Sequence, residues 1–280
     1  NEKFRKQLLD HKLKPIKNRK DLKALLLNHR IFVGTVNGIS GKKAILKLKT
    51  FHQVIIDEAS QLLEPYLVGL LPHFKRFVLI GDHQQLPAVV QQSSDASKVA
   101  DKELNQLGII NLRGSFFERI YKQCLRNGWH WAHAQLSHQG RMHQDIMHFP
   151  NEFFYNKNLK ILPNSIPYHK GQLAPLNYQL PDDPTFLEHL LCTKRVVYIE
   201  TEVDERSKTH KTNQYEGLKL LELIQSFRMI YQKNNLEMTV NSIGIITPYR
   251  AQIAQIRQQL LKEEIDVESL TIDTVERYQG

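Results

Sequence analysis

Six short apolar runs constrain the fold of this chain more than any other feature. They are Ile31-Phe32-Val33, Val54-Ile55-Ile56, Phe77-Val78-Leu79-Ile80, Val196-Val197-Tyr198-Ile199, Ile243-Gly244-Ile245-Ile246 and Leu270-Thr271-Ile272. Each closes on a polar residue or glycine, and segments of helical periodicity separate them. Unbroken apolar runs of this length suit parallel strands buried under helices on both faces, whereas half-wetted antiparallel strands alternate. Strands alternating with helices predict an α/β fold with mainly parallel sheets. Residues 17–29 read as a helix through Leu22, Leu25 and Leu26. Residues 213–233 read as a longer one, with Leu218, Leu221, Ile224 and Phe227 on one face. It opens on Asn213 and Glu216, which resemble a capping box. A third helix, 250–262, turns Ile253, Ile256 and Leu260 inward. Five prolines between 162 and 185 mark a long irregular connection. The 280 residues suffice for two domains, each with its own core. We expect them at 1–133 and 134–280.

Composition then narrows the function. The formal net charge is +9, unevenly spread. Residues 1–50 hold fourteen Lys/Arg (among them Lys17, Arg19 and Lys20) against Glu2, Asp10 and Asp21. That segment therefore carries +11 and the rest −2. A basic stretch beside a near-neutral body suits a polyanion partner or, equally, a solvated amphipathic helix. No apolar stretch approaches the ~18 residues of a membrane span, so no membrane partner is expected. Two cysteines, Cys124 and Cys192, exclude a disulfide scaffold and a cysteine-built zinc ribbon. They suit a reduced, cytoplasmic setting.

Chemistry concentrates at strand ends. In open α/β sheets, ligands bind beyond the C-terminal ends of the strands. The second run ends in Asp57-Glu58, two acids that can hold a magnesium ion and deprotonate water, or simply decorate a helix start. The third ends in Gly81-Asp82-His83-Gln84-Gln85, where a glutamine can sense a phosphate. His130, His133, His138, His143 and His148 form a loose ladder, with nothing else in the sequence to support a metal site. Gly34, Gly38 and Gly41 resemble a phosphate loop but read better as a turn.

The motifs also resemble a known family. "VIIDEASQ" (54–61) and "LIGDHQQLPAVV" (79–90) resemble motifs II and III of superfamily 1 helicases. "LSHQGRMHQDIMHFPNEFFYNKNL" (136–159) is similar to motif IV of their B branch, in the group typified by the nonsense-mediated-decay helicase. "SIGIITPYRAQIAQI" (242–256) and "LTIDTVERYQG" (270–280) resemble the approach to motif V and its start; "IFVGTVNGIS" (31–40) resembles the threonine-bearing strand before motif II. The resemblance implies two RecA-like α/β halves, the first incomplete at its N-terminus, with ATP bound between them and Mg2+ as cofactor. It implies Asp57 as the magnesium carboxylate, Glu58 as the catalytic base and Gln85 as the γ-phosphate sensor. Arg141 would be an arginine finger, and Gly280 a nucleotide contact. Thr35 and Thr274 would touch a single strand of DNA or RNA, along which the enzyme moves 5′ to 3′.

The sequence departs from the family pattern. Gly140 stands where the family has a tyrosine that can stack on the base, and Gln144 where it has a proline. No GxxxxGK[ST] loop is present, and the chain stops at Gly280 before motif VI. These features suggest the middle of a helicase core, inactive by itself as an ATPase. A degenerate module that only binds nucleic acid is one alternative. A nuclease with Asp57, Glu58 and Asp82 sharing a metal is another, but it leaves Gln85 and Arg141 unexplained.

Overall fold

The computed structural model describes residues 2–207 and 210–279. The chain divides into two compact units, Asn1–Ala134 and Gln135–Gly280. Both mix helices with small parallel sheets.

In the first unit, α1 (Arg19–Asn28) starts where the Asn18 side chain accepts from the Asp21 amide at 2.9 Å. Its last carbonyls would be orphaned; the Lys49 ammonium donates to those of Leu27 (2.8 Å) and His29, which satisfies them. Next come α2 (Val36–Ser40), β1 (Phe51–Ile56), α3 (Glu64–Val68), β2 (Phe74–Leu79) and α4 (Phe116–Arg126). β1 and β2 pair in parallel from Phe51↔Phe74 to Ile56↔Leu79. Ile56, Ala59 and Leu67 are buried, with Val36, Val54, Leu79 and Phe116 packed around them. An ion pair crosses this core. Arg119 on α4 donates from Nε to both oxygens of the buried Glu64 (3.0 and 2.9 Å) and from Nη2 to Oε1 at 2.5 Å. The fork geometry fixes α4 against α3.

The second unit begins with β3 (His138–Gln139), α5 (Gln144–Phe153), β4 (Lys160–Ile161) and α6 (His169–Gln172). It continues with α7 (Phe186–Thr193), α8 (Gln214–Lys233), β5 (Gly244–Thr247), α9 (Arg250–Lys262), β6 (Thr271–Thr274) and α10 (Val275–Tyr278). β3 pairs with β4 and β5 with β6, both in parallel. Ile224 of α8 packs on Ile245 and Ile272 of the sheet and on Ile256 and Leu260 of α9, all buried. The start of α8 is held from two sides. Asn213 Oδ1 accepts from the amides of Tyr215 (2.9 Å) and Glu216 (3.3 Å). The buried Gln252 of α9 accepts from the Asn213 amide at 2.8 Å and donates to the Asn213 carbonyl at 2.9 Å and to the Glu216 carboxylate at 3.2 Å. Gln252 thus reaches the Asn213 amide that a capping-box glutamate would otherwise accept from.

Three expectations are corrected. Ile31-Phe32-Val33 and Val196-Val197-Tyr198-Ile199 form no strand. Apolar character makes a strand only when a neighbour supplies the ladder. Among the described residues neither run has one, and Val33 and Tyr198 are left 95% and 91% exposed. The strands that do form are not covered on both faces: Ile55, Phe77, Val78 and Ile246 are exposed, because among the described residues each sheet has two strands. Leu218 faces outward, and α8 instead buries Gly217, Ile224, Ser226 and Ile230. Among the described residues no helix is long and apolar enough to cross a membrane.

The double clamp on α8 generates a stability prediction. Gln252→Leu keeps the volume but strips the Asn213 amide of its acceptor, and should cost about 1–3 kcal/mol. Asn213→Ala should cost about 1 kcal/mol. In urea unfolding both should lower the midpoint with an unchanged slope, Gln252→Leu the more.

Candidate active site

At the end of β1 the chain does not run straight on. Glu58 takes the left-handed conformation (φ 52°, ψ 37°) and turns it into a single 3₁₀ turn, Ala59–Gln61. A left-handed residue with a Cβ costs roughly 1–2 kcal/mol, so its neighbours must impose it. They do so by extending the ladder beyond both strands. The Ile80 amide donates to the Ile56 carbonyl and the Ala59 amide to the Ile80 carbonyl, both at 2.8 Å. Gly81 follows, and it is glycine for want of space: a Cβ there would lie 2.9 Å from the Ser60 nitrogen. The two strand ends are therefore in backbone contact.

The turn presents its acids to solvent. Asp57 and Glu58 are both exposed. Asp57 Oδ1 accepts from the Glu58 amide at 3.0 Å, and Glu58 Oε2 accepts from Gln61 Nε2 at 2.9 Å. Among the described residues the second oxygen of each has no protein donor. One oxygen-only carboxylate on a solvent-facing turn fits magnesium, which keeps most of its waters and takes one or two carboxylates. On the neighbouring loop, Ser60 Oγ accepts from the Asp82 amide at 3.2 Å. Asp82 in turn accepts from the Gln84 amide and from Gln85 Nε2, each at 3.0 Å. The structure thus joins Asp57, Glu58 and Gln85 through Ser60 and Asp82. A cleft lined by Ser60, His83, Gln85, Arg113 and Ser115 lies beside this junction. Among the described residues no three His, Cys, Asp or Glu side chains gather as a metal cluster.

Arg141 lies in the second unit, on the turn between β3 and α5. Its guanidinium is exposed and, among the described residues, has no partner. Its backbone is tightly held. Gln139 Oε1 accepts from the amides of Arg141 (3.0 Å) and Met142 (2.7 Å), and Gln139 Nε2 donates to the Met142 carbonyl at 3.0 Å. His143 caps α5: its Nδ1 accepts from the Asp145 amide, and its Nε2 lies 3.1 Å from the Ala174 carbonyl. Gly140 faces Leu162, whose Cδ1 would sit 3.0 Å from an added Cβ. A tyrosine at 140 would have to displace it.

The two threonines occupy equivalent local positions in different units. Thr35 is exposed and caps α2, accepting from the Gly38 amide at 3.1 Å. Thr274 is buried and stands at the N-cap position of α10, where its side chain makes no capping hydrogen bond. Beside it, the Glu276 carboxyl is held below the usual carboxylate range, first by its own backbone amide, then by the Thr274 hydroxyl and by the Arg250 charge. Gly280 lies outside the described residues. Of the histidines, His133 meets Tyr121 edge-on with ring centres 5.4 Å apart, and Tyr121 lies 5.0 Å from His83.

Sequence reasoning missed Ser60 and Gln139 and noted Gly81 only as part of a polar strand end, although all three stand in the quoted motifs. A glycine directly after an apolar strand run was the available signal for Gly81.

Comparisons with known proteins bear on this arrangement. AAA-domain family models match residues 2–93 and residues 112–280. Among similar proteins is the DNA polymerase alpha-associated DNA helicase A of Saccharomyces cerevisiae, 29% identical over 95% of this chain and 38% of its own length. The DNA replication ATP-dependent helicase/nuclease DNA2 of Xenopus laevis is 27% identical over 96% of this chain and 24% of its own length. Helicase sen1 of Schizosaccharomyces pombe is 29% identical over 94% and 14% respectively. The chain thus spans well under half the length of each. One AAA-domain match alone covers more than half of the residues, and helicases recur among the relatives; the chain belongs to the AAA-domain family of superfamily 1 helicases.

Proposed function

We propose that this chain carries the catalytic core of an ATP-driven helicase or translocase acting on single-stranded DNA or RNA. Residues 1–133 would be its first RecA-like half and 134–280 its second. The observation that carries the reading is the left-handed turn at Glu58. It exposes two adjacent carboxylates and is tied, through Ser60 and Asp82, to a glutamine on the next strand end. The similar proteins, helicases and in part ATP-dependent ones, support the same reading and do not favour a module that only binds.

In this reading the reaction is hydrolysis of the γ-phosphoanhydride. Glu58 orients a water and accepts its proton as the oxygen bonds to the γ-phosphorus, while the bond to the ADP oxygen breaks. Asp57 would hold Mg2+, which when bound neutralises charge on the β- and γ-phosphates. Gln85 hydrogen-bonds the γ-phosphate and changes partners, Asp82 among them, when it leaves. Arg141 lays its unpaired guanidinium on the equatorial oxygens, where charge develops. Gly280 contributes a nucleotide contact. Thr35 and Thr274 contact the nucleic-acid strand. The exposed Lys17, Arg19 and Lys20 around the start of α1, which have no acidic partner among the described residues, extend the polyanion path. The place of action is cytoplasmic, a reading that the free, buried Cys124 and Cys192 support.

Three outcomes test this in the full-length protein. Glu58→Gln should lower kcat about 10²–10⁴-fold with ATP binding within a few-fold of wild type; retained turnover would remove Glu58 from the base role. Gly81→Ala forces the strand ends apart and should slow hydrolysis about tenfold or more, equivalent to about 1.4 kcal/mol. Gly69→Ala, whose Cβ would meet nothing nearer than 3.9 Å, should leave the rate unchanged. Charge reversal of Lys17, Arg19 and Lys20 to Glu should weaken single-strand binding without sequence preference. It should also flatten the salt dependence of log K by about two, since each phosphate contact contributes ~0.7. An unchanged slope would mean that α1 is only a solvated face.

A further inference from the structure

We infer that Gln172 is a positioning residue for the Arg141 turn, an inference that rests on the reading of Arg141 as the group acting on the γ-phosphate. Gln172 closes the short helix α6, thirty-one residues beyond the arginine, in the proline-rich connection that otherwise reads as irregular. It is only 3% exposed, yet it is a polar amide with no charge to neutralise. A buried amide is costly unless its hydrogen bonds are made, and here they are spent on one object. Gln172 Nε2 donates to the carbonyls of Gln139 (2.8 Å) and Met142 (2.9 Å), the two residues that bracket Gly140 and Arg141. Its Oε1 accepts from the Leu162 amide at 2.8 Å, just past β4, and β4 is the strand that pairs with β3.

The consequence is a turn clamped from both sides. Gln139 supplies an acceptor to the amides of Arg141 and Met142; Gln172 supplies donors to the flanking carbonyls. Two side chains of one residue type hold the Arg141 and Met142 amides and the Gln139 and Met142 carbonyls, and leave the Arg141 guanidinium unengaged. Leu162, which Gln172 anchors through its amide, is also the side chain that fills the space above Gly140. Gln172 touches no reacting atom; it acts through the backbone it holds. Catalysis by a charged finger depends on placement, and a misplacement of about 1 Å can cost on the order of 10²-fold.

The test is a double-mutant cycle in the full-length protein, with ATP hydrolysis measured in the presence of single strand. Gln172→Met removes all three hydrogen bonds at similar volume. Gln172→Glu keeps the size and an acceptor but faces two carbonyls with a carboxylate, and serves if Gln172→Met folds poorly. Each should lower kcat about 10- to 100-fold, with KM for ATP within twofold. In an Arg141→Ala background the same changes should cost less than twofold more, because the group they place is gone. A loss of equal size in both backgrounds, or none in the wild-type background, would overturn the positioning role. Full turnover by Arg141→Ala alone would instead retire the finger reading, and the positioning role with it, and is distinguishable from either.

Discussion

The parallel pairing of β1 with β2 is the constraint on which the placement of Asp57, Glu58 and Gln85 depends. The ladder continues past the strands through Ile80 to Ile56 and Ala59 to Ile80. These two bonds bring the polar ends of both runs within backbone contact, and Gly81 is what lets them approach so closely. With Ala59 fixed, Glu58 has to absorb the change of direction, and it does so in the left-handed region. The conformational cost of that residue is offset by burial of Ile56, Ala59 and Leu67 beneath it. The placement of the acid pair and of Gln85 follows from one piece of sheet geometry.

The second unit solves a different problem. A cation meant to act on a developing charge must be available, so it cannot be tied up in a salt bridge beforehand; it must also be well placed, so its backbone cannot be loose. In the function proposed here Arg141 would meet both requirements, because the hydrogen bonds that restrain it lie on backbone atoms and not on the guanidinium. Hydrogen bonds from Gln139 and Gln172 take up the backbone, while the guanidinium stays exposed. Glutamine suits the first task. Its amide offers donors and an acceptor without adding charge that would compete for the arginine. The same unit is fastened elsewhere by another buried glutamine, Gln252, at the start of α8.

Much of this was legible in the sequence, for identifiable reasons. Four of the six apolar runs became strands, paired two by two within each unit. The runs around Ile31 and Val196 lie in the same units yet join no ladder among the described residues, and which runs pair is something propensity cannot reveal. The helices at 19–28, 214–233 and 250–262 were readable from apolar spacing, and the second also from its Asn213 cap. Polar residues at strand ends, Asp57-Glu58 and Gln85, stand out in the sequence, and the structure places both groups at the adjoining ends of β1 and β2. Three features were not readable. The left-handed state of Glu58 is imposed by tertiary contacts. Ser60 looks like any serine after a strand. Gln172 lies far from the turn it holds, in a segment whose only sequence signal was proline.

The proposed function has Glu58 and Arg141 act on one phosphate, and a structure of the full-length protein trapped with Mg2+, ADP and a planar fluoride mimic of the transferring phosphoryl group tests that most directly. Glu58 is then expected within hydrogen-bond reach, about 3 Å, of the attacking water. The Arg141 guanidinium is expected at a similar distance from the fluorides, with its turn still held by Gln139 and Gln172. A mimic ringed by other residues, with Arg141 in solvent or paired to an acid elsewhere, would contradict it.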